Sequence, residues 1–268
     1  MGASILKAGL RLWDGSTLSS VAAIKIVWHN LLRPTALIHE TGHQVAHILG
    51  WTEELAEVLA KRLSRESTDI AHKWASWASE IAADAFAFAH TGFAAVVGLH
   101  DVLSGDNSYI FQDRPGDPHP ISYIRVLLGT AMCTQFFGSG PWDGLAKAWV
   151  KAHPLENASP LVRLFLQRSL PLLPIVSEVS LLTPMRALGG HSLAAFINPK
   201  RVSPRALTQL ELEAGQALYT SSHWIGTEGL RILAHSGWKA ATMPEHVTEL
   251  LQQQEEWLVR LGMAVGGD

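Results

Sequence analysis

Two histidines four positions apart, His39 and His43, are the residues of this chain best suited to bind a metal ion. They belong to an H-E-x-x-H run inside an apolar stretch that predicts a helix over residues 35–50. On a helix, positions four apart lie about 40° from each other around the axis, so both imidazoles can reach one ion. Glu40 lies about 100° round from His39, near enough to hold a water molecule bound to that ion. The run therefore predicts a metal-activated water with Glu40 as its general base.

A metal site of this kind needs a third protein ligand and an open fourth position for water. Glu80 and Asp84 lie one helical turn apart in a segment rich in alanine, tryptophan and phenylalanine. Carboxylates persist in such surroundings only when they are paired, hydrogen-bonded or bound to a metal. We therefore predict Glu80 as the third metal ligand and Asp84 as the partner of a ligand imidazole. The alternative is an exposed acidic edge on an amphipathic helix.

His47 extends the histidine spacing by one further helical turn. Three ligands on one straight helix cannot converge on an ion, because His39 and His47 would be about 11 Å apart along the axis. We expect His47 at the surface or beside a ligand, and we expect His72, His90 and His100 to be structural.

The runs HETGH at 39–43 and EIAAD at 80–84 together resemble the gluzincin pattern, in which a glutamate on a later helix completes H-E-x-x-H. The form E-x-x-A-D among small residues is similar to the HtpX-type heat-shock peptidases and the CAAX prenyl-peptidases. The longer run EIAADAFAFA also resembles the small cytoplasmic peptidases that cleave phage and stress repressors. His119-Pro120, with Arg125 six positions after the histidine, looks like the H-P-x-x-x-x-R element of HtpX-type proteins. The resemblance covers residues 35–130, and the C-terminal half carries no recognisable pattern.

This resemblance implies a zinc metallopeptidase with Zn²⁺ held by His39, His43 and Glu80, and with His119 as a second catalytic residue beside Glu40. It departs from the membrane-bound members because the chain has no clear transmembrane helix. The resemblance therefore gives no reason to expect a membrane-protein substrate.

A tetrahedral oxyanion needs a hydrogen-bond donor in addition to the metal. The candidates near the third ligand in sequence are His119, Tyr123 and Arg125, with Tyr109 or Tyr123 in reserve behind His119. We favour His119 because the resemblance assigns a histidine there. The alternative for His119 is a turn residue before a helix-opening proline.

Composition narrows the class of protein. The chain has 268 residues, of which 47% are hydrophobic and 17% charged, as expected of a packed globular protein. A net charge of −3 gives no electrostatic reason to expect binding to nucleic acid. The single cysteine, Cys133, excludes an intrachain disulfide framework and suits a reducing compartment. The ten tryptophans predict core filling rather than an aromatic substrate pocket.

The N-terminal residues contain no continuous apolar segment followed by a cleavage site, so we expect no secretory signal and a cytoplasmic location. The most apolar stretches, 81–99 and 164–182, are interrupted by charged residues, histidine or proline. Neither predicts a membrane span, which needs about 20 apolar residues in succession.

Helical periodicity dominates the chain and predicts a mainly α fold, a zincin-like helical core with an additional C-terminal helical region. No alternating run is long enough to predict a strand. The turn-rich stretch 104–118 predicts a loop that hangs over the metal, and the glycines near 140 predict a boundary. The predicted helices are 17–32, 35–50, 53–64, 68–102 (with a kink near Gly92), 120–136, 142–152, 159–169, 172–183, 204–220, 224–236 and 244–262.

The boundary divides a catalytic region, 1–140, from a helical region, 141–268, for substrate recognition or regulation, or the two form one continuous domain. The expected function is that of a metalloendopeptidase acting on a protein or peptide, with no nucleic-acid partner. One alternative is an iron-dependent oxidase on a helical bundle, in which Glu40-x-x-His43 has a degenerate partner in Asp69-x-x-His72. A second alternative is a non-catalytic helical interaction protein.

Overall fold

The computed structural model describes residues 4–6, 23–25 and 35–265 of the chain, and helices dominate these residues. The predicted mainly α class is therefore confirmed. The helices are α1 (Thr35–Leu49), α2 (Trp51–Leu63), α3 (Thr68–Ser76), α4 (Ala78–Thr91), α5 (Phe93–Leu103), α6 (Asn107–Ile110), α7 (Ser122–Phe137), α8 (Pro141–Ala152), α9 (Pro160–Ser169), α10 (Leu173–Leu182), α11 (Leu193–Phe196), α12 (Pro204–Ala214), α13 (Ala217–Thr220), α14 (Ser222–Thr242) and α15 (Val247–Val265).

Two short strands precede the helices. Strand β1 (Ser4–Leu6) pairs antiparallel with β2 (Ala23–Lys25), and Ile5 lies opposite Ile24. The predicted helix over 17–32 is wrong at the three residues of β2, and its other residues lie outside the described residues. A run of three residues is too short for periodicity to separate a strand from a helix. Both strands lie against α1.

The single helix predicted over 68–102 is three helices, α3, α4 and α5. The first break is at Trp77, whose φ and ψ are −97° and 5°, and it was not predicted. The second break is at Gly92, where a kink was predicted, and its φ of +57° suits glycine because an L side chain rarely adopts it. The breaks leave α4 as a separate helix that carries Glu80 in its first turn.

The C-terminal helices also differ in their bounds from the prediction. The predicted helix over 204–220 is divided at Gly215 into α12 and α13. Helix α14 is longer than predicted and is kinked at Glu228. Helix α15 is amphipathic and packs on α13 and α14 through Trp257, which is 2% exposed.

The helices that matter for the site form a compact group. Helix α1 packs along α4, while α5 contacts α1, α4, α7 and α14. The largest apolar cluster among the described residues contains side chains from both sides of position 140. The division into two regions stays a prediction.

Tryptophans fill much of the core, as predicted. Five of the largest fully buried side chains are indoles, and none of them lines the main cavity of the described structure: Trp51, Trp74, Trp77, Trp142 and Trp257. None of the described helices is long and apolar enough to cross a membrane. The cytoplasmic location stays a prediction.

Candidate metal centre

His39, His43 and Glu80 come together at the face between α1 and α4. His39 Nε2 lies 3.5 Å from Glu80 Oε2, and His43 Nε2 lies 3.1 Å from Glu80 Oε1. One potential ligand atom from each of the three residues lies within 4.8 Å of the other two. Zinc binds nitrogen and oxygen ligands at about 2.1 Å, so ligands of a tetrahedral ion are about 3.4 Å apart. The two contact distances are of that size.

The close approach of α1 and α4 explains why these groups meet. Gly42 lies between the two histidines, and a Cβ there would come within 2.9 Å of the Ala83 Cα on α4. The small residues at both positions therefore allow the two helices to lie closer than larger side chains would permit. One helical turn separates the two imidazoles, whose ring centroids are 4.7 Å apart.

The other nitrogen of each imidazole has its own partner. His39 Nδ1 lies 2.9 Å from Asp84 Oδ1, at an angle that does not make a regular hydrogen bond. His43 Nδ1 lies 3.0 Å from Ser79 Oγ. These contacts leave both Nε2 atoms on the side of Glu80, as expected of ligand imidazoles oriented by outer partners, and Arg125 Nη2 also lies 3.5 Å from His39 Nε2. The residues present therefore fit a bound metal ion.

Arg125 ties the two acidic side chains together. Its Nε donates to Asp84 Oδ2 at 2.7 Å and its Nη2 donates to Asp84 Oδ1 at 2.8 Å. Nη2 also lies 2.7 Å from Glu80 Oε2. The Glu80 carboxylate is thus held from one side by Arg125, and its Oε1 faces His43.

The charges at this site are strongly coupled because the groups are buried. Burial opposes ionisation of Glu80, but the Arg125 guanidinium keeps the pKa of that carboxyl well below its usual range. Burial likewise opposes ionisation of Asp84, and Arg125 again keeps its pKa low. Burial also opposes the charged form of His39, but contacts with Asp84 and Glu80 outweigh it and raise the pKa of His39 to about 9. In the metal-free protein two carboxylates are therefore balanced by a guanidinium and an imidazolium.

A cavity of about 620 Å³ opens onto this cluster. Glu40, His119 and Tyr109 line it together with the three potential ligands. His119 Nε2 lies 3.5 Å from Glu80 Oε1, and its Nδ1 lies 2.7 Å from Asp117 Oδ1. The side chain of His119 is 59% exposed, so it stands at the solvent side of the cluster. The turn-rich stretch 104–118 thus contributes Tyr109 and Pro118 to the cavity wall.

Tyr123 does not line the cavity. It is 1% exposed, lies in the core against Phe111, and is not among the residues that line the cavity. Two positions on a helix differ by about 200° around the axis, so Tyr123 faces away when Arg125 faces the site. Arg125 does line the cavity, but it is 5% exposed and engaged with two carboxylates.

The sequence did not identify Ser79 and Asp117 as residues of the site. Ser79 immediately precedes Glu80, and Asp117 lies two positions before His119. Serine and aspartate are common in helix starts and turns, so neither carries a specific signal alone. The contact of Ser79 with His43 is tertiary and appears only in the folded structure, whereas Asp117 contacts His119 locally, within the same turn.

The degenerate second motif that the di-iron alternative needs, Asp69 with His72, does not reach the cavity. Asp69 is 72% exposed and pairs with Arg168. His72 is also exposed, and neither residue lines the cavity. His47 is exposed as well, which agrees with its expected place at the surface.

Comparison with protein-family models, with curated proteins and with solved structures found no match to this chain.

Proposed function

We propose that this protein is a zinc-dependent metallopeptidase that hydrolyses peptide bonds of a protein or peptide. The convergence of His39, His43 and Glu80 within 4.8 Å at the wall of a cavity carries this proposal. Two imidazoles and one carboxylate, with room for a water molecule, are the donor set of many catalytic zinc sites. His39, His43 and Glu80 would hold the ion.

When bound, the metal ion lowers the pKa of a water molecule and polarises a substrate carbonyl. The reaction then needs a group that accepts the proton of the attacking water and delivers it to the leaving amine. Glu40 is that group, because it lies beside His39 on α1 and lines the same cavity. The engagement of Asp84 and Ser79 with the outer imidazole nitrogens keeps the two rings oriented.

His119 is the donor that we assign to the developing oxyanion. It lines the cavity, is exposed toward solvent, and contacts Asp117, whose carboxylate orients the ring. Tyr109 is a second donor at the same wall, and its side chain is 43% exposed. Charge-assisted hydrogen bonds of this kind stabilise the transition state rather than the bound substrate.

The decisive experiment compares Glu40→Gln with Glu57→Gln, because Glu57 is an exposed acid on α2. Each zinc-loaded protein is incubated with a cell extract, and new amino termini are mapped by mass spectrometry. We expect cleavage by the wild type and by Glu57→Gln, and none by Glu40→Gln. Elemental analysis should find about one zinc per chain in all three proteins.

Full activity of Glu40→Gln would remove the proposed base. Wild-type protein that binds no zinc, or that produces no new amino termini in the extract, would overturn the proposal as a whole. Two iron ions per chain would favour the oxidase alternative instead.

A further inference from the structure

The cavity extends well beyond the metal site, and its remote part is apolar. Every charged residue among those that line it belongs to the group around the metal site, at the end formed by α1, α4 and the start of α7. The remainder of the wall comes mainly from α5 and α7. Its principal side chains are those of Phe88, Val96, Leu99, Leu103, Leu128 and Met132.

We define this apolar chamber by those six side chains together with two small residues of its wall, Ala95 and Gly129. A Cβ at Gly129 would come 3.0 Å from Cγ1 of Val96, so α5 and α7 approach closely there. Ala95 lines the cavity and is only half-buried, so its methyl group faces open space. A larger side chain at position 95 would therefore project into the chamber, whereas Gly129 allows α5 and α7 to pack closely.

We infer that the apolar chamber binds a large apolar side chain of the substrate next to the scissile bond. This inference rests on the proposed peptidase function and adds the class of substrate. The whole cavity, about 620 Å³, lies within the range of pockets that enclose a ligand rather than a single water. Its remote wall offers contacts to aliphatic and aromatic groups.

The same wall disfavours polar side chains. A charged side chain placed among Val96, Leu99 and Leu128 would lose its hydration, and none of the lining residues at that end carries a compensating charge. In apolar pockets one methylene changes kcat/KM by about 10- to 200-fold. We therefore expect leucine, methionine or phenylalanine at the bound position to exceed alanine by at least about 10-fold in kcat/KM.

The test begins with a mixed peptide library digested by the zinc-loaded wild type, with cleavage sites identified by mass spectrometry. Ala95→Phe fills the chamber, and Ala148→Phe is the matched control because Ala148 is exposed on α8. Wild type and Ala148→Phe should cleave beside large apolar residues. Ala95→Phe should lose this preference by about 10-fold or more and accept alanine or serine there instead.

Binding gives a readout that does not depend on turnover. Two peptides that differ only in leucine or alanine at the preferred position are titrated into Glu40→Gln protein with and without Ala95→Phe. The leucine peptide should bind more tightly than the alanine peptide, and Ala95→Phe should remove the difference. If Ala95→Phe does not fold, Val102→Trp narrows the chamber from its rim, where Val102 is 46% exposed.

The outcomes separate the two proposals. Cleavage that ignores the size and polarity of the neighbouring residues, and that is unchanged by Ala95→Phe and Val102→Trp, would overturn the apolar chamber as a substrate site while leaving the peptidase function intact. Absence of cleavage of any peptide by zinc-loaded wild type would overturn both.

Discussion

Arg125 donates two hydrogen bonds to the carboxylate of Asp84. Its Nε lies 2.7 Å from Oδ2, and its Nη2 lies 2.8 Å from Oδ1. Bidentate pairs of this kind are among the strong hydrogen-bonded arginine–carboxylate contacts. Because Nη2 also lies 2.7 Å from Glu80 Oε2, one guanidinium holds both acids of the site. Arg125 therefore serves the metal centre from within the core and is poorly placed to contact substrate.

Removal of Arg125 should destabilise the metal-free protein strongly. Arg125→Ala leaves two buried carboxylates with only the His39 imidazolium to balance them, and loss of one partner from a buried ion pair costs about 3 to 5 kcal/mol. Arg62→Ala is the control, since Arg62 and Glu178 are each nearly half exposed and such pairs contribute about 0 to 1 kcal/mol. Urea denaturation in the presence of a chelator measures both free energies of unfolding. Equal effects of the two substitutions would contradict the role assigned to Arg125.

Zinc affinity should distinguish the metal ligands from the residues that contact those ligands and from histidines outside the site. His43→Ala removes a proposed ligand and should give the largest loss, whereas Asp84→Asn should weaken binding by about 10- to 100-fold because it acts through His39. His47→Ala, one turn beyond His43 and exposed, should leave the dissociation constant unchanged. Competition with a chromophoric chelator gives the three constants. A normal affinity in His43→Ala would exclude that imidazole as a ligand.

Gly42 should tolerate no side chain, because it lies where α1 crosses α4. An alanine there would bring its Cβ to 2.9 Å from Ala83 Cα, and such overpacking costs about 1 to 3 kcal/mol. The higher helix propensity of alanine offsets about 1 kcal/mol of this cost, so a net loss of stability is expected. Zinc affinity should also fall, since α1 must shift away from Glu80.

Gly144→Ala provides the matched control for Gly42→Ala. Gly144 lies on α8, and a Cβ there would meet no atom within 4 Å. This variant should gain about 0.5 to 1 kcal/mol through helix propensity alone. Thermal unfolding without metal measures the change in stability of both variants. A stabilised Gly42→Ala protein would show that the two helices have more room than the structure indicates.

The proximity of His39, His43 and Glu80 could be predicted because its signals are local and chemically costly. The spacing of the histidines follows from helix geometry, and a glutamate within an alanine-rich helix needs a compensating partner. Tyr123 was assigned wrongly to the neighbourhood of the site, because the rotation of α7 about its axis is set by packing and not by sequence distance. The zinc, the catalytic roles and the peptidase activity remain predictions.

Other features could not be predicted because they depend on tertiary packing. The apolar chamber combines residues of α4, α5 and α7. The sequence pattern of each of these helices predicts only an ordinary core helix. The breaks at Trp77 and Gly215 interrupt apolar patterns that continue on both sides. Strand β2 is too short for any period to be recognised.

A buried polar cluster in the C-terminal half should make stability depend on pH. His235 has no exposed surface and lies 3.0 Å from the hydroxyl oxygen of Tyr219, which donates a hydrogen bond to Glu211. Lys239 also donates to Glu211. Burial is the main cause that lowers the pKa of His235 from 6.5 to about 4, and it outweighs the attraction of Glu211.

The sign of the effect follows from proton uptake on unfolding. Between pH 6.5 and about 4, the unfolded chain binds a proton at His235 that the folded protein does not. The stabilisation is therefore complete above pH 6.5 and is lost as the pH falls through this interval, by about 2 kcal/mol at pH 5. Glu211 acts in the same direction at lower pH, because Lys239, together with His235 and Tyr219, lowers its pKa against the effect of burial.

Urea denaturation at pH 8 and pH 5 measures this loss in the wild type, in His235→Asn and in His72→Asn. His235→Asn should be less stable at pH 8 but should lose about 2 kcal/mol less than the wild type on acidification, because its side chain no longer titrates. His72→Asn should lose as much as the wild type, since His72 is exposed on α3. The same acid-induced loss in all three proteins would show that His235 binds protons equally well in the folded and unfolded chain, and its burial would then have no part in the pH dependence.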